Sequence, residues 1–528
     1  MKKIVPILLS MITAASVLGG CTSDNAGSES TASVNETSVE TVSEEPIEAT
    51  PLATTSTSKT PKYVFLFIGD GMSYPQIQST ADYLGALKDT DYFQAQPSLD
   101  DNKGAKLDGP SYLNFMNFDV AGSAVTFDSN SFAPDSASTA TSIATGHKTY
   151  SGTINMSEDY KTAYETIAEQ VHEQKGMSVG VISSVNLNHA TPAAFYAHQA
   201  SRSNYYEIGL ELIDSGFEYF AGGGLLKPTG SDGKQADLYT LAEDAGYNVV
   251  KTQDEAEKVS EGPVIIIDEH LADGDAMAYE LDRTDDMWSL ADHVEKGIEV
   301  MEDDKDGFFM MCEGGKIDWA CHANDAASSI HDTEAFADAV QVAIDFGKKH
   351  PKDTLILVTG DHETGGLSIG FAGTDYDTYL TLLKNQKISF AKFDSDYVAG
   401  YKENKTSFDA VLKDVEKLFG LKASGSETDK LVLTSYELSC LKAAYEKSIN
   451  GTSSADAQEE YILYGTYEPL TVTITHILNN KSGISFTSYS HTGLPVAVLA
   501  EGTGADLFEG YYDNTQIYSR LASLLKIK

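Results

Sequence analysis

Short β-branched and aromatic runs alternate along this chain with stretches whose apolar residues recur at helical spacing. Runs at 63–68, 178–183, 308–311, 354–359 and 495–500 are predicted as strands. Helical spacing follows Asp159, where Thr162, Tyr164, Ile167, Ala168 and Val171 recur. It returns over 290–301 and 333–346, the latter with Asp332 as its N-cap. This alternation predicts an α/β protein with a mainly parallel central sheet flanked by helices on both faces. No solenoid period is present. Residues 373–482 break the rhythm: they are rich in Lys, Asp, Tyr and Ser, with helical patches near 377–384, 408–419 and 435–447. They read as a large insertion between two ligand-bearing strands, forming a rim or an arm at a subunit contact.

The N-terminus has a different character. Lys2 and Lys3 precede an apolar stretch, 4–18, too short for a comfortable membrane span and ending in Leu18-Gly19-Gly20-Cys21. Residues 1–20 are expected to be a secretion signal resembling a bacterial lipoprotein type, with Cys21 the acylated residue. An ordinary cleaved signal that contains a Cys is the alternative. Residues 21–60, rich in Ser, Thr, Glu and Ala, cannot bury enough apolar surface to fold and read as a tether. The expected location is therefore periplasmic or membrane-anchored, with the catalytic region spanning 61–528.

With 528 residues and 41% hydrophobic content, the chain can build a large core, as one domain with insertions or as two or three domains. Lys and Arg number 37 against 79 Asp and Glu, a formal charge of -42. That balance argues against nucleic acid as a partner, because no basic surface is concentrated enough to neutralise phosphates. Beyond Cys21, only Cys312, Cys321 and Cys440 remain, too few for a disulfide-built fold. Cys312 and Cys321 read as packing residues.

Three of the strand runs end in ligand chemistry: Ile68-Gly-Asp70-Gly, Cys312-Glu313-Gly-Gly with Asp318 and His322 just downstream, and Thr359-Gly-Asp361-His362-Glu. Carboxylates and imidazoles at the carboxyl ends of neighbouring strands point to a multi-metal hydrolase. Asp135-Ser136-Ala137 precedes a helix of small residues that Pro134 introduces and Gly146 ends. Alone, that Ser reads as a simple N-cap. Beside metal-ligand clusters it reads as a nucleophile, since metal coordination deprotonates a hydroxyl without a histidine base.

Asp70-Gly, Asp135-Ser136-Ala, His189-Ala-Thr191-Pro, Arg202, Glu313-Gly with Asp318 and His322, Asp361-His362, and His491-Thr-Gly together resemble the alkaline phosphatases, in the family's order. The resemblance spans 61–370 and 485–525. It implies hydrolysis of phosphate monoesters through a phosphoserine on Ser136, with two zinc ions, one magnesium, and a homodimer. Asp318, His322 and His491 would hold the first zinc, and Asp70, Asp361 and His362 the second. Asp70, Thr191 and Glu313 would hold the magnesium. Arg202 would clamp two phosphate oxygens, for which a guanidinium fork is suited.

Two positions depart from the best-known bacterial pattern. His189 stands where an Asp commonly supports the magnesium shell, and Trp319 where a Lys commonly assists phosphate. The pair looks like the variant of marine, cold-adapted members, the Vibrio type among them. It implies more exchangeable magnesium and looser phosphate binding; a harmless swap, with Trp319 packing beneath the rim, is the bland alternative. The rivals are a diesterase or sulfatase on the same scaffold, and a tethered protein that binds phosphate or metal without turnover. Asp135-Ser136-Ala137-Ser138 does not match the sulfatase modification motif, a diesterase would usually lack the magnesium residues and the Arg that are present here, and the binding protein would need a missing ligand.

Overall fold

The computed structural model describes residues 59–88, 108–426, 428–453 and 455–528. The expected signal, Cys21 and nearly all of the expected tether lie outside the described residues. Ten strands form one sheet: β1 (Tyr63–Gly69), β2 (Val120–Val125), β3 (Ser178–Asn186), β4 (Tyr219–Gly223), β5 (Asn248–Val250), β6 (Val264–Ile267), β7 (Phe308–Glu313), β8 (Thr354–Gly360), β9 (Val496–Gly502) and β10 (Gly510–Asp513). Their order is β10-β2-β9-β8-β1-β7-β3-β4-β6-β5. Every pairing is parallel except those of β9, which runs against both β8 and β2.

Strands β1, β3, β7 and β8 are buried along their whole length, which explains their near-continuous apolar sequences: helices cover both faces. One face packs the helices Ser136–Thr145, Ile167–Lys175 and Thr515–Leu525, and the other packs Leu290–Met301 and Ala326–Lys349. The predicted α/β architecture is the one observed.

Register aligns the three central strand ends. Gly69 pairs with Gly360, so Asp70 and Asp361 emerge level from adjacent strands, and Ile68 pairs with Glu313, which places Glu313 two residues earlier on the other side of β1. Gly71 turns there with φ +71, and a Cβ on it would come within 2.9 Å of the Asp318 backbone. A residue without a side chain lets the helix carrying Asp318 approach this closely.

Segment 373–482 contains the helices Phe408–Phe419, Ser435–Asn450, Ala457–Tyr464 and Pro469–Ser482, among shorter ones. Its apolar side chains, including Phe393, Val415, Leu441 and Ile474, share a core with Tyr83, Ala326 and Ile330.

Three local expectations are corrected. The helix after Asp159 begins only at Ile167, where Thr166 and Glu169 form a capping box; Met156 and Ala163 pair across an isolated bridge instead. Asp332 is not an N-cap. The helix starts at Ala326 with Asp325 capping it through Ser328 N, and Asp332 is buried within. Helical spacing at 377–384 yields a 3-10 turn, Leu380–Asn385.

Candidate active site

Ser136 is the first residue of its helix, not its cap. Asp135 caps, accepting from Ser138 N at 3.1 Å, and Gly146 closes the far end in the left-handed conformation. The Ser136 hydroxyl is therefore not spent on the helix. Its Oγ lies 3.1 Å from Nε2 of His362 and 3.4 Å from Oδ1 of Asp70, and the side chain is buried.

Around it the ligand types gather. Asp70, Asp361 and His362 offer ligand atoms all within 4.8 Å of one another, and so do Asp318, His362 and His491. Helix Lys316–His322 brings Asp318 and His322 together at i, i+4, with His322 Nε2 3.4 Å from Asp318 Oδ2. His491 arrives on a two-residue strand paired with Glu363–Thr364. Its Nε2 lies 3.1 Å from that of His322 and 3.6 Å from Asp318 Oδ1. Both rings use Nδ1 on backbone carbonyls: His322 donates to Tyr489 O at 2.6 Å, and His491 to Pro134 O. With Nδ1 of each ring committed to a carbonyl, the two Nε2 atoms are left facing each other, an arrangement that would suit a shared cation.

Thr191 donates to Asp70 Oδ2 at 3.2 Å. Ser183 donates to Glu313 Oε2, while Glu313 Oε1 is buried without a hydrogen-bond partner among the described residues.

The electrostatics make the same demand. Burial, then the charges of Asp361 and Asp318, push Asp70 well above the usual carboxylate range. Burial and the neighbouring Asp318 carboxylate push Asp361 up to about 8. Burial takes Glu313 to about 7. Burial would raise Asp318 too, but the imidazoles of His322, His491 and His362 hold it below the usual range. Burial and His491 drive His362 well below the ordinary imidazole value. Buried carboxylates crowded this way need cations, and Arg202 does not supply enough. Its guanidinium is committed to Asp135 Oδ2 at 2.9 Å and lies 3.3 Å from His189 Nε2. The donor set, imidazoles with carboxylates on one side and Asp, Glu and Thr oxygens on the other, fits two nitrogen- and oxygen-preferring ions and one hard ion.

His189 is buried, with Nδ1 lacking a hydrogen-bond partner among the described residues, and burial together with Arg202 drives its pKa down to about 3. It meets the Trp319 indole edge-on at 5.9 Å. All twelve residues singled out beyond residue 60 thus lie in one neighbourhood. Cys312 and Cys321 are buried free thiols, as packing residues would be.

Several neighbours carry no sign in the sequence pattern. Thr364 bridges Asp318 and His362, contacting Asp318 Oδ1 and lying 3.2 Å from His362 Nδ1. It follows Asp361-His362 by two residues, so adjacency was the available signal. Asp135 stood beside the Ser, but its grip on Arg202 is tertiary. Asp273, Phe390 and Tyr467 also line the cavity, of about 710 Å³, together with Ser136, Arg202 and Trp319. They come from segments without any ligand motif.

A family model described as alkaline phosphatase matches residues 61–527. Alkaline phosphatase 3 of Bacillus subtilis is 31% identical over 474 residues, covering 88% of this chain and 89% of that one. Among solved structures, the cold-active alkaline phosphatase of a psychrophilic Shewanella aligns at TM-score 0.67 and 29% identity, covering 88% and 99% of the two chains. The Thermus thermophilus alkaline phosphatase shares the fold at TM-score 0.71 and 21% identity, covering 89% and 92%.

Proposed function

The chain belongs to the alkaline phosphatase family, a metal-dependent phosphomonoesterase family, and from that premise we propose that it cleaves phosphate monoesters through a phosphoserine on Ser136. The observation that carries this is the Ser136 hydroxyl. It is released from capping by Asp135, contacts Asp70 and His362, and lines one cavity with Asp318, His322 and His491.

Asp318, His322 and His491 would hold one zinc, Asp70, Asp361 and His362 another, and Asp70, Thr191 and Glu313 a magnesium. When bound, such ions supply Lewis-acid stabilisation of the entering and leaving oxygens and lower the pKa of a hydroxyl or a water. The remaining chemistry belongs to the chain. Ser136 Oγ sits at the positive end of its helix, which favours the alkoxide. It attacks phosphorus in line, the bond to the alcohol breaks, and the phosphoryl group passes to Oγ. Water then attacks the phosphoserine, releasing phosphate and restoring the hydroxyl. Arg202, steadied by Asp135, binds two non-bridging oxygens throughout. Catalysis is mostly positioning and charge stabilisation, because phosphoryl transfer asks for little covalent help.

His189 and Trp319 lack the carboxylate and the ammonium that would tighten magnesium and phosphate, so this account includes exchangeable magnesium and rapid product release. It also includes export on the 1–20 signal, acylation at Cys21, a tether to residue 60, segment 373–482 as an insertion, and a homodimer.

The test is phosphate release from an aryl monoester at alkaline pH, by wild type, by chelator-stripped protein restored with zinc and magnesium, and by Ser136→Ala. Metal-restored turnover that collapses in Ser136→Ala supports the reading. Cleavage of a diester or sulfate ester alone would replace it.

A further inference from the structure

We propose that the mouth of this cavity selects monoesters whose leaving group carries a planar aromatic ring, with nucleoside monophosphates as the class that fits; the inference rests on the phosphomonoesterase reading and deepens it. The cavity is lined by two unlike sets of side chains. Ser136, Arg202, Asp318, His322 and His491 supply the reacting groups. Trp319, Phe390 and Tyr467 supply aromatic rings beside them, and Phe390 and Tyr467 both come from segment 373–482. About 710 Å³ is the size of a cavity for a whole small-molecule ligand, well beyond a phosphate alone.

These rings are braced by their neighbours. Phe390 packs edge-on against Tyr279 at 5.6 Å and against Tyr467 at 5.9 Å, and Tyr467 stacks on Tyr489 at 6.1 Å. The buried Lys316 ammonium lies 4.1 Å from the Tyr279 ring and 4.6 Å from that of Trp319, with no hydrogen-bond partner among the described residues. The rings and the charges of Asp273, Asp332 and Asp282 together hold it.

The segment is also tied to the ligand-bearing helix. Phe390 N and Gln386 Nε2 donate to Asp325, and His476 and Asn479 engage Asn324, two residues after His322. Rings fixed in advance stack a planar group at low entropic cost.

Charge narrows the class. Arg202 is the only Arg or Lys lining the cavity among the described residues, and Asp273 adds an exposed carboxylate at the mouth. A second phosphate on the leaving group would find no cation and one like charge.

The experiment compares adenosine 5'-monophosphate with ribose 5-phosphate on the metal-loaded full chain. Both release a primary ribose alcohol and differ in the base. Stacking predicts a kcat/KM ratio above roughly 10 in favour of the nucleotide. The ratio should fall toward one in Tyr467→Leu and in Phe390→Leu, with the change in KM, and adenosine 3',5'-bisphosphate should be the poorer nucleotide. If Phe390→Leu fails to fold, the more exposed Tyr467→Leu decides alone. A wild-type ratio near one, a high ratio unchanged in Tyr467→Leu, or a preference for phosphocholine over both substrates would overturn the proposal, the last because the rings would then be a cation box. Loss of hydrolysis on all substrates would instead overturn the phosphomonoesterase reading beneath it.

Discussion

His322 and His491 face each other through Nε2 atoms 3.1 Å apart, while each ring gives its Nδ1 to a backbone carbonyl. Sequence separation between them is large, yet the loop carrying Tyr489 and His491 serves both: it supplies one imidazole and orients the other. Replacing His322 by Ala should remove one of the two opposed lone pairs and weaken metal retention at that position by more than about 100-fold. Metal content after dialysis, measured beside turnover, checks this. Full retention of metal would detach His322 from the site.

Asp135 holds Arg202 at 2.9 Å and caps the helix that begins at Ser136. Arg202→Lys keeps the charge but loses the fork, so kcat/KM for an aryl monoester should fall roughly 10- to 100-fold. Competitive inhibition by inorganic phosphate should weaken in parallel. Steady-state kinetics with phosphate as inhibitor measures both.

Burial raises Asp361 to about 8 and Glu313 to about 7 in the metal-free protein. The folded state therefore binds more protons than the unfolded state between pH 4 and 8, and stability falls as pH rises through that range. The buried imidazoles His362 and His189, with lowered pKa, act oppositely but only below about 6.5. Between pH 6.5 and 8.5 the carboxylates dominate. Metal-stripped protein should lose Tm across that window, and the Tm gained on adding zinc and magnesium should be larger at pH 8.5. Thermal scans with and without metal test it; a metal-induced gain that shrinks with pH would contradict it.

Buried His189 has no hydrogen-bond partner at Nδ1 among the described residues and touches Trp319 edge-on. His189→Asp should tighten magnesium by roughly 10-fold or more, as an added carboxylate would. Trp319→Lys should strengthen phosphate inhibition and slow turnover. Magnesium titration of activity and phosphate inhibition constants separate the two effects.

The α/β architecture was legible because buried parallel strands write themselves as continuous apolar runs, as at β1 and β8, and because carboxylates and an imidazole follow immediately at their ends. Asp70, Glu313 and Asp361 lie together because Ile68 pairs with Glu313 and Gly69 with Gly360, which runs of this kind leave unspecified. Short strands such as β5 and β6 carry too few residues to stand out. An acidic residue before an apolar period has the same pattern as a buried mid-helix carboxylate such as Asp332; within this helix it is Asp325 that accepts from the orphan amide of Ser328. Phe390 and Tyr467 were invisible as cavity residues, since Phe390 is placed by its bond to Asp325, far away in sequence, and Tyr467 by packing on Phe390 and Tyr489.

The most direct test of the central claim is to quench the metal-loaded enzyme in acid during turnover of an aryl monoester and map covalent phosphate by mass spectrometry. The account predicts one phosphoryl group on Ser136, absent from Ser136→Ala together with turnover. Sustained turnover in Ser136→Ala, with no phosphoserine trapped in wild type, would contradict it.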